Sequence, residues 1–357
     1  MKQDLLDALS GRTPAKIPSK ETLEHPGLIS HVSGVDVYRD TPRALTLAWE
    51  RLGIDIHAAP PRENASPPPD DDETWLADGQ RHARYGINPS YMPLAQLETG
   101  GRWDLERVWS HDVAQDAAAC DLEASQEAIE SQRFVDSFGD RAVRYGLYFT
   151  TLLSWAVVTF GWEPFFLAIG SDPERFEAQF WEPWAAISRR RFEAMSRLPD
   201  EVLFCHDHLA MATGSVLKPS DLERYILSRY EWIMAPALEV GKRIILVCDG
   251  KLDDMLERLL ELPFAGLLVD SPATSFQRVL DTWGRAGRAF SGGIETDLLT
   301  RGSPGQVMAH TRDVIEHGRA YPGFILSASG QLPANIPLQN LLAYFRTRDA
   351  LGCPAIC

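Results

Sequence analysis

The sequence predicts an α/β fold, a single TIM-type barrel of alternating strands and helices, on three observations. From Asp140 onward, short apolar runs end in polar or Gly residues, and each is followed by a longer amphipathic segment. That alternation belongs to a parallel sheet or barrel. The reactive side chains gather at the C-terminal ends of the runs: His206 to His208, Cys248 and Asp249, Asp270, Glu295, and Ser327 to Ser329. Parallel strands bring such ends to one rim, where the βα loops of a barrel assemble active sites. An open doubly wound sheet also binds ligands at strand ends, but no GxGxxG follows any strand here, which favours the barrel.

The strands expected are LGIDIHA, AVRYGLYF, EVLFCHD, RIILVCDG, FAGLLVDS, RAFSGGIE and GFILSASG, in that order. Helices are expected at SDPERFEAQF and KPSDLERYIL, where capping and acidic residues cluster around a Pro. Residues 97–137 are polar and acid-rich with helical spacing, as exposed helices are. The stretch APPRENASPPPDDDET, Ala59 to Thr74, is stiffened by Pro and solvated by acids, and reads as a surface loop. One domain over residues 1–357 is expected, with an N-terminal helical extension and this loop near 59–74.

The 50 acidic residues against 35 basic ones give a formal charge of -15, which disfavours nucleic acid and anionic lipid as partners. The apolar runs fall short of the roughly 20 residues of a membrane span. The start, MKQDLLDALSGRTPAK, lacks the apolar core of a signal peptide, so a cytoplasmic location is expected. The five cysteines, Cys120, Cys205, Cys248, Cys353 and Cys357, are scattered without CxxC spacing, as reduced thiols are.

Four segments in order, HDHLAMATGSVLKPSDLERYIL, RIILVCDGKLDDMLERLLELPFAGLLVDSP, FSGGIETDLLTRGSPGQV and GFILSASGQLPANIPLQNLLAYF, resemble the uroporphyrinogen decarboxylase superfamily over Glu201 to Arg346. That superfamily includes the decarboxylase and methyltransferases that work with corrinoid proteins. SGVDVYRDTPRALTLAWERLGID and GWEPFFLAIGSDPERF carry a fainter match. The resemblance implies a (β/α)8 barrel, a small-molecule substrate and a homodimer. Its zinc-dependent methyltransferases carry a His-x-Cys pair where this chain has Val247 and Asp249, and a later Cys where it has Ser329. Val cannot ligate and Ser is a poor zinc ligand, so that zinc site is expected to be absent. The basic RQAGR-type grip of the porphyrinogen decarboxylase is represented only by GRTPAKIP, which argues against porphyrin biosynthesis.

Around LFCHDHLA, His206 and His208 alternate along an extended chain, so both face one side and Asp207 the other. The pair could bind a metal, with Cys248 as a third ligand, or hydrogen-bond to backbone. Asp207 stands where the family carries an acid; it could serve as acid, base or substrate clamp, or cap a helix. Asp249, before the Gly250 turn, and Asp270 complete a set of rim carboxylates that would share protons, with His208 beside them. His206, Tyr148, Trp162, Glu295 and Ser329 are expected on the substrate wall, with Phe166 nearby.

The leading expectation is an acid/base lyase that decarboxylates a small carboxylated or aromatic substrate without a cofactor. The alternatives are methyl transfer to a corrinoid or folate carrier, with a corrinoid protein as partner and zinc in a different geometry, and a non-catalytic ligand-binding barrel.

Overall fold

The computed structural model describes residues 2–67, 87 and 104–352. Its contacts divide the chain into two compact units that interleave along the sequence: Met1–Pro93, Phe138–Tyr145 and Val269–Cys357 make unit 1, and Leu94–Ser137 and Gly146–Leu268 make unit 2. Among the described residues the strands are β1 (Ser19–Lys20), β2 (Ile56–His57), β3 (Val143–Arg144), β4 (Leu147–Tyr148), β5 (Val202–His206), β6 (Ala210–Met211), β7 (Gly214–Ser215), β8 (Arg243–Cys248), β9 (Gly266–Val269), β10 (Ala289–Ile294) and β11 (Phe324–Ala328).

In unit 1 the strand order is β3-β2-β1-β11-β10, and each neighbouring pair is parallel. Every residue of β10 and β11 is buried, the pattern of parallel strands covered on both faces. Gly293 lies within β10 at φ +94°, where a Cβ would stand 2.7 Å from Val314 Cγ1. The Gly-rich run of this strand is therefore a close-packing device against the helix Pro304–Gly318, which opens on a capping box of Ser303 and Gln306.

Just past β1, Glu21 is 1% exposed. Its carboxyl accepts from the Tyr344 hydroxyl and from the Ala328 amide at 3.2 Å. Burial pushes it up to about 7, outweighing the lowering effect of Tyr344 and Lys20.

In unit 2 the order is β9-β8-β5-β4, with β5 parallel to both β4 and β8. Outside the strands, Phe160, Phe165, Phe176, Phe180, Trp181 and Trp184 form an aromatic core, each essentially inaccessible. The chain enters the helix Pro173–Phe176 on Asp172, whose side chain accepts from the Arg175 amide at 3.0 Å. It continues through a π-turn, Glu177–Trp181, into Glu182–Ser196.

The strand and helix alternation expected from the sequence holds in both units, and helices Lys2–Ala8, Pro26–Ser33 and Thr41–Leu52 supply the N-terminal helical part. Three details differ. AVRYGLYF is two short strands, β3 in unit 1 and β4 in unit 2, separated at Tyr145–Gly146, where Gly weakens the ladder. β1 was not anticipated, because two residues after a Pro carry no periodic signal. The antiparallel hairpin β6–β7, not among the expected strands, follows the HDH stretch and precedes the helical segment expected at KPSDLERYIL. Residues 59–67 of the Pro/Asp-rich loop hold no helix or strand, while 68–74, and the chain-end Cys353 and Cys357, lie outside the described residues.

Candidate functional site

β5 and β8 run in parallel with His206 in register with Val247, so HDH and the Cys248–Asp249 step leave the sheet side by side at the strands' C-terminal ends. The alternation of the extended chain then sorts the side chains.

Asp207 turns to one side and is fully buried. Its Oδ1 accepts from the Ser154 amide at 2.6 Å, and its Oδ2 from the Leu153 amide at 3.0 Å and the Tyr230 hydroxyl at 2.6 Å. Leu153 and Ser154 open the helix Leu153–Phe160, whose own N-cap residue, Leu152, offers no side-chain acceptor. A carboxylate 53 residues further along therefore satisfies amides that a local cap would normally take, at the positive end of the helix. Ser154 returns the contact, its Oγ accepting from the His208 amide at 3.1 Å. Burial raises the Asp207 carboxyl, against the lowering effect of these hydrogen bonds.

His206 and His208 face the other side with ring centroids 4.2 Å apart. His206 stacks on Phe149 at 4.6 Å and 4°. His208 meets the edge of Phe149 at 5.4 Å and of Trp162 at 6.3 Å. His206 Nε2 lies 3.3 Å from Oδ2 of Asp249, whose side chain is 57% exposed. Burial, and then the neighbouring His206, lower His208 to about 3, so it is neutral at ordinary pH. His206 Nδ1 and His208 Nε2 are buried without a hydrogen-bond partner in the protein. Phe149 and Phe166 are each over a third exposed, and Trp162 stacks on Phe166 at 5.9 Å. The centre thus has a buried imidazole pair, one solvent-facing carboxylate and an accessible aromatic wall.

Gly250 holds this arrangement. At φ +87° its Cβ position falls 2.5 Å from the Ala210 carbonyl oxygen of β6, leaving no room for a side chain. Gly250→Ala is expected to cost about 2 kcal/mol through strain and overpacking, read from the urea midpoint.

Of the residues expected from the sequence, His206, His208 and Asp249 come together, with Asp207 behind them and Trp162 beside them. Two placements require correction. Tyr148, expected on the substrate wall, is 1% exposed, its hydroxyl 2.9 Å from Ser188 Oγ and its ring under Arg191. The strand pleat turns Tyr148 inward, so its neighbour Phe149 reaches the histidines. Cys248, expected as a third ligand, is fully buried with Sγ 3.6 Å from the Asp249 carbonyl oxygen, and Asp249 takes its place in the cluster. Asp270, Glu295 and Ser329 belong to unit 1. Glu295 precedes the helix Thr296–Arg301, its amide directed at His310 Nε2 at 3.4 Å. Ser329 Oγ accepts from the Ser271 amide at 2.6 Å. Phe149, Ser154 and Tyr230 were missed; strand alternation could have found Phe149, whereas nothing local marks the other two.

An α/β protein with an imidazole and carboxylate cluster at parallel strand ends is the class these features define. Residues 201–351 match the family model described as Uroporphyrinogen decarboxylase (URO-D), which bears out the resemblance read from the sequence over that part of the chain. A solved structure described as a methyltransferase from Methanosarcina mazei is similar at TM-score 0.61 and 17% identity, covering 98% of each chain. The likeness is one of fold, and the α/β barrel of uroporphyrinogen decarboxylase-like type expected from the sequence stands. A D-psicose 3-epimerase with D-tagatose from Clostridium cellulolyticum H10 is more distant, at TM-score 0.40 and 11% identity over 70% of this chain and 96% of that one. No curated protein matches.

The zinc site of the resembling methyltransferases does not fit this chain. Val247 has no donor atom, and the Ser329 hydroxyl is engaged by the Ser271 amide.

Proposed function

We propose that the protein is an enzyme whose reacting centre is the His206, His208 and Asp249 cluster, and that it decarboxylates a small carboxylated or aromatic substrate by proton transfer. The observation that carries this reading is the pairing of His206 with the open Asp249 beside the exposed ring of Phe149. In the reaction the carbon–carboxylate bond breaks with its electron pair left on the substrate carbon. CO2 departs, and a proton from the His206 and Asp249 pair is delivered to that carbon. Phe149, Trp162 and Phe166 offer flat apolar surface to the substrate body. Neutral His208 presents Nε2 as an acceptor, and Asp207 positions the loop. The family match over the segment that contains the cluster supports a lyase.

The test is a panel of aromatic and small carboxylic acids assayed for CO2 release by the full chain. His206→Ala and Asp249→Asn are each expected to lower turnover about 100-fold with the melting temperature nearly unchanged for Asp249→Asn. Turnover that survives both substitutions would sink the proposal.

Methyl transfer to a corrinoid or folate carrier is the second reading, supported by the description of the structural neighbour. A change in the cobalamin spectrum on mixing with methylcobalamin and a methyl donor, without CO2 release, would favour it. Among the described residues Cys120, Cys205 and Cys248 are free, and no single helix is long and apolar enough to cross a membrane.

A further inference from the structure

We infer that His206, His208 and Asp249 bind one divalent transition-metal ion through two imidazole nitrogens and a carboxylate oxygen. The inference rests on the reading of this cluster as the reacting centre and names the group that acts there.

Donor atoms from the three residues all lie within 4.8 Å of one another. Neighbouring ligands around an ion with bonds of about 2.1 Å stand about 3.0–3.5 Å apart. His206 Nε2 and Asp249 Oδ2, at 3.3 Å, already meet that spacing. The carboxylate is the solvent-facing member of the three, its side chain 57% exposed.

The second observation is an orphaned nitrogen. Buried polar atoms find partners almost without exception, because a lone one forfeits its hydration with no return. Here His208 Nε2 is such an atom, on an imidazole whose ring centre lies 4.2 Å from that of His206 and inside an aromatic wall. His208 Nε2 gains its missing partner when an ion enters.

The position is preformed. His206 is clamped by its stack on Phe149, and His208 by its backbone bond to Ser154. Asp249 is fixed at its base by the turn at Gly250, which no other residue fits. Two imidazoles and one carboxylate form an N2O set that suits zinc, iron(II) or cobalt(II) rather than magnesium or calcium. Such a set leaves coordination positions open on the side where Asp249 meets solvent, and an ion there would lower the pKa of a bound water, which would take over the proton delivery otherwise made by the His206 and Asp249 pair.

The experiment strips the full chain with a chelator and titrates it with cobalt(II) and with zinc. One ion per chain is expected, with a cobalt d–d spectrum of nitrogen and oxygen ligands and no thiolate charge-transfer band. Asp249→Asn, a change at an exposed side chain, and His208→Gln are expected to weaken binding by more than the about 10–100-fold typical of outer-shell changes. Absence of stoichiometric binding, a thiolate band, or affinities unchanged in both variants overturns the inference. Turnover that depends on the three residues yet persists in excess chelator leaves the reacting centre standing and removes the metal. Stoichiometric binding lost in the variants, with turnover unaffected, upholds the metal and removes the reacting centre.

Discussion

Asp207→Ala lowers the unfolding free energy by about 4 kcal/mol, because it strips acceptors from the Leu153 and Ser154 amides and from the Tyr230 hydroxyl at once. None of the three donors can recover water, since all lie in the interior with Asp207 itself fully buried. Asp207→Asn keeps one carbonyl oxygen for the helix end and is expected to cost about half as much. A urea series on the two variants with Tyr230→Phe as a partner measures this, and the Asp207–Tyr230 cycle should show coupling. The competing role, proton donor on the rim, makes the opposite forecast: both variants inactive with stability unchanged. Stability loss graded from Ala to Asn to wild type, with turnover falling in proportion to the disturbed HDH loop, assigns Asp207 to positioning.

Glu21→Gln is expected to flatten the pH dependence of stability. The native carboxyl titrates near 7, whereas the unfolded chain's titrates at about 4.5. Between these values the folded state holds a proton that the unfolded state has released. The native state is therefore progressively disfavoured as pH rises through the window, and the loss levels off above pH 7. A shift of this size corresponds to about 3 kcal/mol. Gln keeps an oxygen for the Tyr344 hydroxyl and the Ala328 amide but cannot ionise. Thermal melts at pH 4.5 and pH 7.5 on both proteins isolate the effect, because all other titrating groups cancel in the difference. Parallel profiles would remove Glu21 as a buried titrating group.

The sheet was legible in the sequence wherever a strand is long and buried on both faces. RIILVC and FILSA are continuous apolar runs that end in polar residues, and the structure places β8 and β11 there. β1 was not legible, because its two residues are held by pairing with β11 and β2, and such long-range pairing leaves no periodicity. Within the site, strand alternation separated Asp207 from the two histidines, and the residue type before Gly250 marked Asp249. The same rule, carried one position along AVRYGLYF, distinguishes the outward Phe149 from the inward Tyr148. What the sequence could not show is the service Asp207 performs. Its partners, Leu153 and Ser154 on one side and Tyr230 on the other, are brought to it only by the folded chain.

The register that sets His206 beside Val247 places an imidazole on the same rung as a side chain with no donor atom. The resemblance read from the sequence implies a histidine at Val247 in zinc-binding members, and neighbouring parallel strands lie only about 4.8 Å apart. An imidazole can thus vanish from one strand and be regained at the same height on the adjacent one. On the metal reading inferred above, the side of the site that Val247 cannot serve is served by His206 from the adjacent strand.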